Sequence, residues 1–324
     1  LTNLSNYINQ LNADLVREAV LEGRLVKQIS HQSGIKNAEV INGITSTLTL
    51  QQASCGLIAP TGSVTPFQNT ITVCELMSAE SLCAIDFEKK FYGMWAKAGS
   101  YNENVVEAFA KLYIADKMAK IQQLMEGILI AGSTTGTYSS NSNLTLCDGI
   151  LSILEEGAGA GLYVTASYGT TASFTYGSTT AVTYFDNLIS QMPTDIYMEP
   201  DNTIFLSYPD FRTYILNLRT LNLYHFNALE SEGSMVYEIY HPGTNVKLSA
   251  TVGFNYITKT PAAFSHYFLM TPASNLVYGY DMENDFESFQ FFYSDLYDTT
   301  YFRSKFKIGI NAKYYKYIVL GKSN

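Results

Sequence analysis

The chain is poor in charge. Only 15% of its 324 residues are Asp, Glu, Lys or Arg, against roughly 25% in ordinary soluble domains. A surface with so few charges points to extensive contact with partners. Cysteine is sparse too. Cys55, Cys74, Cys83 and Cys147 are too few for a disulfide framework, and Cys74 and Cys83 do not stand at zinc-finger spacing. Reduced, partly buried thiols are therefore expected. No apolar run reaches the ~18–20 residues that cross a bilayer, and no signal-peptide pattern opens the chain. Synthesis and retention in a cytoplasm, with no membrane partner, are expected. A basic excess is also missing: the net charge of −9 argues against a dedicated nucleic-acid binder.

Catalytic kits are absent from the sequence. His31, His225, His241 and His266 are scattered, with no HExxH pair. His241-Pro242-Gly243 reads as a turn. The run Gly157-Ala158-Gly159-Ala160-Gly161 follows a helical pattern and lacks the lysine of a phosphate loop. There is no Gly-x-Ser-x-Gly elbow. The acids of 281–287 (DMENDFE) lack EF-hand spacing and read as a solvated loop. No enzyme activity, cofactor or metal is expected.

Aromatics are plentiful. The chain has 25 Tyr and 18 Phe. Tyr suits protein–protein interfaces, with an apolar body and a polar tip; it also suits a β-rich core. Both readings stay open. The length suggests two or three compact units.

Residues 3–28 carry Leu4, Ile8, Leu11, Leu15 and Ala19 on one helical stripe, opposite Asn and Gln. Such a helix docks either on its own core or on a neighbour. Over 39–75 the pattern turns to strands, with a tight-turn signal at Asn42-Gly43 and alternation in Thr47-Leu48-Thr49-Leu50. Pro60, Gly62 and Pro66 punctuate the stretch before Ile71-Thr72-Val73. This predicts a long two-stranded protrusion with its tip near 59–65. A lone hairpin is marginal in water and needs another surface.

Residues 78–97 read as a short helix through Leu82, Ile85, Phe87 and Phe91, broken by Ala98-Gly99-Ser100. A long helix follows over about 102–130, which would span roughly 40 Å. It has one stripe at Val105, Phe109 and Leu112. A second runs through Ala110, Ile114, Met118, Ile121, Met125 and Ile128. A helix apolar on two sides sits between layers. The stretch 157–180 has no charge and reads as a surface insertion prone to edge pairing. Residues 181–230 look α/β: a helix through Tyr184, Phe185 and Leu188, a buried strand at Thr203–Leu206, then Ser207 as N-cap and Pro209 in the first turn of a second helix. Strands are expected at 248–257, 264–270, 276–280, 289–293 and 302–320. Arg303, Lys305, Lys307, Lys313, Lys316 and Lys322 are the one basic cluster, either a solvated face or a contact for an acidic neighbour or DNA phosphates.

Read together, Cys55-Gly56, the block from Cys83 to Ser100, the long helix after it and Cys147-Asp148-Gly149 resemble the major capsid proteins of tailed double-stranded DNA phages, crAss-like phages and their relatives. The resemblance implies an α+β, Hong Kong 97-like capsid fold. It would have an N-terminal arm (1–38), an extended β-hairpin loop (39–75) and a peripheral domain with a long spine helix (76–135). An α/β axial domain (136–265) with the insertion at 157–180 and returning strands (266–324) would complete it. It implies a virion shell protein that forms hexamers and pentamers around double-stranded DNA and assembles in the bacterial host cytoplasm. Portal, decoration or auxiliary, scaffold and maturation-protease partners are implied. Trimming of the N-terminus, where this chain begins at Leu1, is common in that family. Leu4, Ile8, Leu11, Leu15, Leu57, Ile58, Val64 and Phe67 are then candidate intersubunit contacts. Arg303, Lys305, Lys307, Lys313 and Lys316 are candidates for non-specific contact with packaged DNA or an acidic neighbour. Other readings are a tail-tube or surface-layer subunit, a glycan-binding module or an enzyme.

Overall fold

A strand that is apolar on both faces must lie between two layers, and the strands at Asn202–Leu206, His266–Pro272 and Val319–Ser323 are buried on both faces. The computed structural model describes residues 24–52, 62–83, 117, 119–157, 159–167, 176–223, 238–258, 264–281, 290–294 and 299–323. Its elements begin with α1 (Arg24–Gln28), β1 (Ser30–Gln32), β2 (Ala38–Thr47), β3 (Ser63–Thr72) and β4 (Cys74–Cys83). Helix α2 covers 119–131, followed by α3 (Ile150–Glu155), β5 (Val164–Ser167), α4 (Ala181–Ser190), β6 (Asn202–Leu206) and α5 (Tyr208–Thr220). The remaining strands are β7 (Glu238–Tyr240), β8 (Lys247–Ala250), β9 (His266–Pro272), β10 (Leu276–Tyr280), β11 (Gln290–Ser294), β12 (Thr299–Ala312) and β13 (Val319–Ser323).

Six strands form one sheet in the order β5-β13-β9-β6-β8-β7. Alternation along its middle strands sorts side chains to two cores. Ile204, Leu206, Phe268, Met270 and Val319 face α4 and α5. Phe205, Tyr267, Leu269 and Leu320 face the opposite core, which α2, α3 and β12 share. Ser207 caps α5: its Oγ accepts from Asp210 N at 3.1 Å and donates to Asp210 Oδ2 at 2.6 Å. The second sheet runs β1-β10-β12-β11, with β4 on the other edge of β12. Phe302, Phe306, Ile308 and Ile310 point from β12 into the shared core. After β12 the chain turns at Tyr315–Tyr317 and enters the other sheet as β13. One expected strand over 302–320 is thus two strands in different sheets.

The last turns of α2 bind the sheets together. Met125–Ser133 are buried without a break. The turn Val252–Tyr256 presses on them where strand had been expected to continue to 257; a Cβ on Gly253 would stand 2.5 Å from the Glu126 carbonyl oxygen. At the helix end, a Cβ on Gly132 would stand 2.4 Å from Cys147 O, and Gly149 N donates to Gly132 O at 2.9 Å. Only glycine permits such backbone approach. The earlier part of the expected long helix, to residue 116, lies outside the described residues.

Four further expectations give way. Residues 78–83 are strand, not helix, because β4 pairs over ten residues with β12; tertiary pairing outweighs local helix propensity. Asn42-Gly43 lies inside β2, not at a turn, because the Phe67 ring covers Gly43 from the opposite strand. The uncharged stretch contributes to the fold at both described ends: β5 pairs in parallel with β13, and Tyr176 is buried against Tyr184, Phe185 and Phe268. Cys74 and Cys147 are joined in a disulfide rather than free. They stand 73 residues apart, so no local spacing announces the pair. Closing such a loop restrains the unfolded chain by about 4 kcal/mol.

Some of the described tyrosines are core material, while others stay at least partly exposed. Tyr138, Tyr176, Tyr184, Tyr214, Tyr267, Tyr278 and Tyr315 are all buried. Several phenols find partners, as Tyr138 OH does with Glu155 Oε2 at 2.6 Å and Tyr176 OH with Asp210 O at 2.6 Å. Burial pushes these two phenols far above their ordinary pKa, so both stay protonated.

Glu126 sits in the buried stretch of α2 and accepts from Leu25 N at 3.3 Å, which ties α1 to the core. The backbone amides of Arg24 and Val252 also favour its carboxylate, but burial outweighs them and raises its pKa. Between the ordinary glutamate range and its raised native value, the native state therefore keeps a proton that the unfolded chain releases. That contribution to stability is full below the ordinary glutamate range and is lost as pH rises through the native value. Glu126→Gln is expected to leave stability at pH 7 equal or higher and to flatten its decline above pH 4.5. Glu126→Ala is expected to cost about 1–3 kcal/mol by stranding backbone donors. Urea unfolding at several pH values measures both.

Candidate intersubunit surface

Among the described residues, strands β2 and β3 pair only with each other, Ala38 opposite Thr72 through Thr47 opposite Ser63. Period-two alternation gives this ribbon two unlike faces. Ile41, Gly43, Phe67, Asn69 and Ile71 form the face turned toward the body, and all are half-buried or buried. Val40, Ile44 and Val64 share the opposite face and are exposed.

The root of the ribbon rests on its own body. Gly279 and Gly309 stand opposite each other in β10 and β12. A Cβ on Gly309 would lie 2.2 Å from the Thr72 carbonyl oxygen, and one on Gly279 2.7 Å from Ile71 Cδ1. This bare patch lets β3 cross the sheet in contact, and Ile35, Ile71, Val73 and Val277 close a small core there. Asn69 Nδ2 donates to Ala312 O at 3.0 Å and Lys313 O at 2.8 Å, and Asn311 Nδ2 donates to Thr70 O at 2.6 Å. The Phe67 ring meets Tyr314 edge-on at 4.9 Å.

Beyond Phe67 this support ends. Ile44 is 66% exposed, Leu48 88%, Leu50 87% and Val64 67%. These four large apolar side chains, on the outer end of the ribbon and in the segment just after β2, form a candidate interaction surface. The two edges of the ribbon differ. Pro66 lies inside β3 opposite Ile44. Proline has no N–H to give, so it blunts the outer edge of β3. The described β2 carries no such block.

Among the expected contacts, Val64 is at this exposed end, whereas Phe67 turns inward onto Tyr314. Leu4, Ile8, Leu11, Leu15, Leu57 and Ile58 lie outside the described residues. Ile44, Leu48 and Leu50 are exposed but were not among the expected contacts; their only signal was alternation in an uncharged stretch. The basic residues are not one free patch. Lys307 Nζ is 2.9 Å from the buried Asp281 Oδ2 and 3.3 Å from Lys36 O. Lys313 Nζ donates to Ser274 O at 2.7 Å and Ser30 Oγ at 3.0 Å. Arg303 and Lys305 are half-buried on β12, and Lys316 is exposed with its Nζ 4.6 Å from the Tyr317 ring centre.

Two other places bring polar groups or a concave surface together. His241 is buried between Tyr214 OH (2.8 Å from Nδ1) and Asp186 Oδ1 (2.8 Å from Nε2). Burial pushes the Tyr214 phenol up, so it is no nucleophile at neutral pH. A shallow depression of about 460 Å³ is lined by Ile189, Met192, Tyr197, Met198 and 243–246 and offers no acid–base pair. Among the described residues no group of three His, Cys, Asp or Glu could hold a metal.

No protein-family model matches the chain, and no curated protein does. Solved structures do. A chain of the satellite phage P4 procapsid, a structure including size determination (Sid) protein, matches with TM-score 0.53 and 14% identity over 96% of this chain and 90% of that one. A chain from Gordonia phage Cozz matches with TM-score 0.55 and 11% identity, over 93% and 86%. The capsid of the native GTA particle matches with TM-score 0.54 and 11% identity, over 94% and 90%. The chain thus has the mixed α+β fold of phage capsid chains along nearly its whole length.

Asn69→Ala is expected to loosen the ribbon root and lower stability by about 1–3 kcal/mol through two unsatisfied carbonyls. Gly309→Val should dislodge β3 more severely. Hydrogen exchange should then accelerate over 38–47 and 63–72, while β6 and β9 keep their protection.

Proposed function

We propose that the chain is a major capsid protein, a self-assembling shell subunit of a tailed double-stranded DNA phage, crAss-like or related, with the Hong Kong 97-type architecture. The observation that carries this reading is the end-to-end likeness of its fold to chains from phage capsids. In this reading α2 belongs to the spine helix of the peripheral domain. The six-stranded sheet with α4 and α5 is the axial domain, and β2–β3 is the extended loop. The exposed outer end of that ribbon supports it physically. A two-stranded ribbon is marginal alone, and a neighbouring copy would cover Ile44, Leu48, Leu50 and Val64. Closed symmetry repeats one such contact many times, so each can be weak.

The product is a virion shell of hexamers and pentamers, assembled in the bacterial cytoplasm and enclosing DNA. Portal, decoration, scaffold and protease partners act with it. Contact with DNA is non-specific. Lys307 and Lys313 already have intramolecular partners, so Lys316 is the better placed of these three to meet a phosphate. The protein acts by assembly rather than catalysis.

Recombinant full-length protein is expected to form capsomers or shells by electron microscopy and sedimentation. The double substitution Ile44→Asp and Leu48→Asp should shift it to small species, with melting temperature and far-ultraviolet circular dichroism kept. Shells of unchanged yield from that variant would remove the ribbon from the interface. A small monodisperse wild-type particle at high concentration would remove the capsid reading.

A further inference from the structure

We propose that Cys74 and Cys147 form a redox staple, held as two thiols while the chain is made and closed when the particle meets an oxidising medium. The proposal rests on the capsid reading for its change of compartment. A reducing cytoplasm keeps thiols apart, whereas a released particle faces no such reductant.

The placement of the two sulfurs gives the staple its mechanical meaning. Cys74 opens β4 opposite Ile308, two residues after the ribbon ends at Thr72. Cys147 lies in the loop laid on the end of α2, where Ser133 N donates to Leu144 O at 2.9 Å and Gly149 N to Gly132 O at 2.9 Å. The bond therefore ties the far side of the ribbon root to the most buried part of the molecule. The near side is already held by Asn69 and Asn311. A pull on the ribbon by a neighbouring copy runs into β4; with the bond closed, it stops at the core instead of peeling β4 from β12.

Accessibility sets the order of the chemistry. Cys74 is half-buried and Cys147 is buried. The Cys74 thiolate attacks a small-molecule disulfide, forming a mixed disulfide and releasing one small thiol. The Cys147 thiolate then displaces the second small thiol and closes the protein bond. Two electrons pass from the protein sulfurs to the reagent, and two protons leave with them, so one small disulfide becomes two small thiols.

The test uses full-length protein expressed in a reducing bacterial cytoplasm, quenched with acid at harvest, alkylated with N-ethylmaleimide and peptide-mapped. Cys74 and Cys147 should both be alkylated at harvest. After incubation with oxidised glutathione a Cys74–Cys147 linked peptide should replace them, and the melting temperature should rise by about 5 °C. Dithiothreitol should reverse both changes. Cys74→Ser and Cys147→Ser should show no redox-dependent shift; should either fail to fold, the reversible wild-type shift with its peptide map carries the test. A linked peptide already present at harvest overturns the proposal. So does pairing with Cys55 or Cys83, or closure that leaves the melting temperature unchanged. These readouts do not need assembly, so absence of shells in micrographs would count against the capsid reading and be seen separately from failure of the staple.

Discussion

The structure depends on one constraint: the end of helix α2 is buried from every side, by backbones that come as close as packing allows. Gly253 brings the 252–256 turn onto Glu126, and Gly132 brings the 147–149 loop onto the helix end. Side chains from both sheets, Phe205 and Leu269 from one and Phe306 and Ile308 from the other, meet in the same core. The two sheets are thereby fixed relative to each other by contact rather than by a linker, and β12 running on into β13 adds a covalent crossing between them.

That rigidity is what lets a two-stranded ribbon be carried at all. Its root needs a flat place to cross, which the Gly279–Gly309 pair supplies. It also needs polar anchors that do not depend on a neighbour, which Asn69 and Asn311 supply. Among the described residues the outer end shows no such anchor to the body, and its apolar side chains are exposed. The ribbon is therefore anchored to its own body at the root and exposed at its outer end. In the proposed shell, such a division would set the direction of the ribbon within one subunit and leave its tip to be covered by the next.

Much of this was legible in the sequence where periodicity and capping agree. Ser207, Pro209 and the apolar spacing after them gave α5, and strand 276–280 matched residue for residue. Long-range pairing decided what local signals could not. The Leu-Met-Ser-Ala-Glu run of β4 prefers helix by itself, and only ten partners on β12 make it a strand. Asn42-Gly43 is a strong turn signal, but a cross-strand aromatic ring over the glycine turns it into mid-strand. The Cys74–Cys147 bond joins residues on unrelated elements, so no spacing rule could reveal it. Of the exposed apolar side chains, Val64 had been named as a candidate contact and Ile44, Leu48 and Leu50 had not, since exposure of an alternating strand depends on where its support stops. Lys307 looked free in sequence because Asp281 reaches it only after β10 and β12 pair.

The most direct measurement is a cryo-electron microscopy reconstruction of the full-length protein at high concentration. A closed shell is expected in which the root of the ribbon keeps its contacts to β12 of its own chain. A neighbouring copy should cover Ile44, Leu48, Leu50 and Val64. A dispersed monomer, or an assembly whose interfaces lie elsewhere and leave those four side chains in solvent, would contradict it.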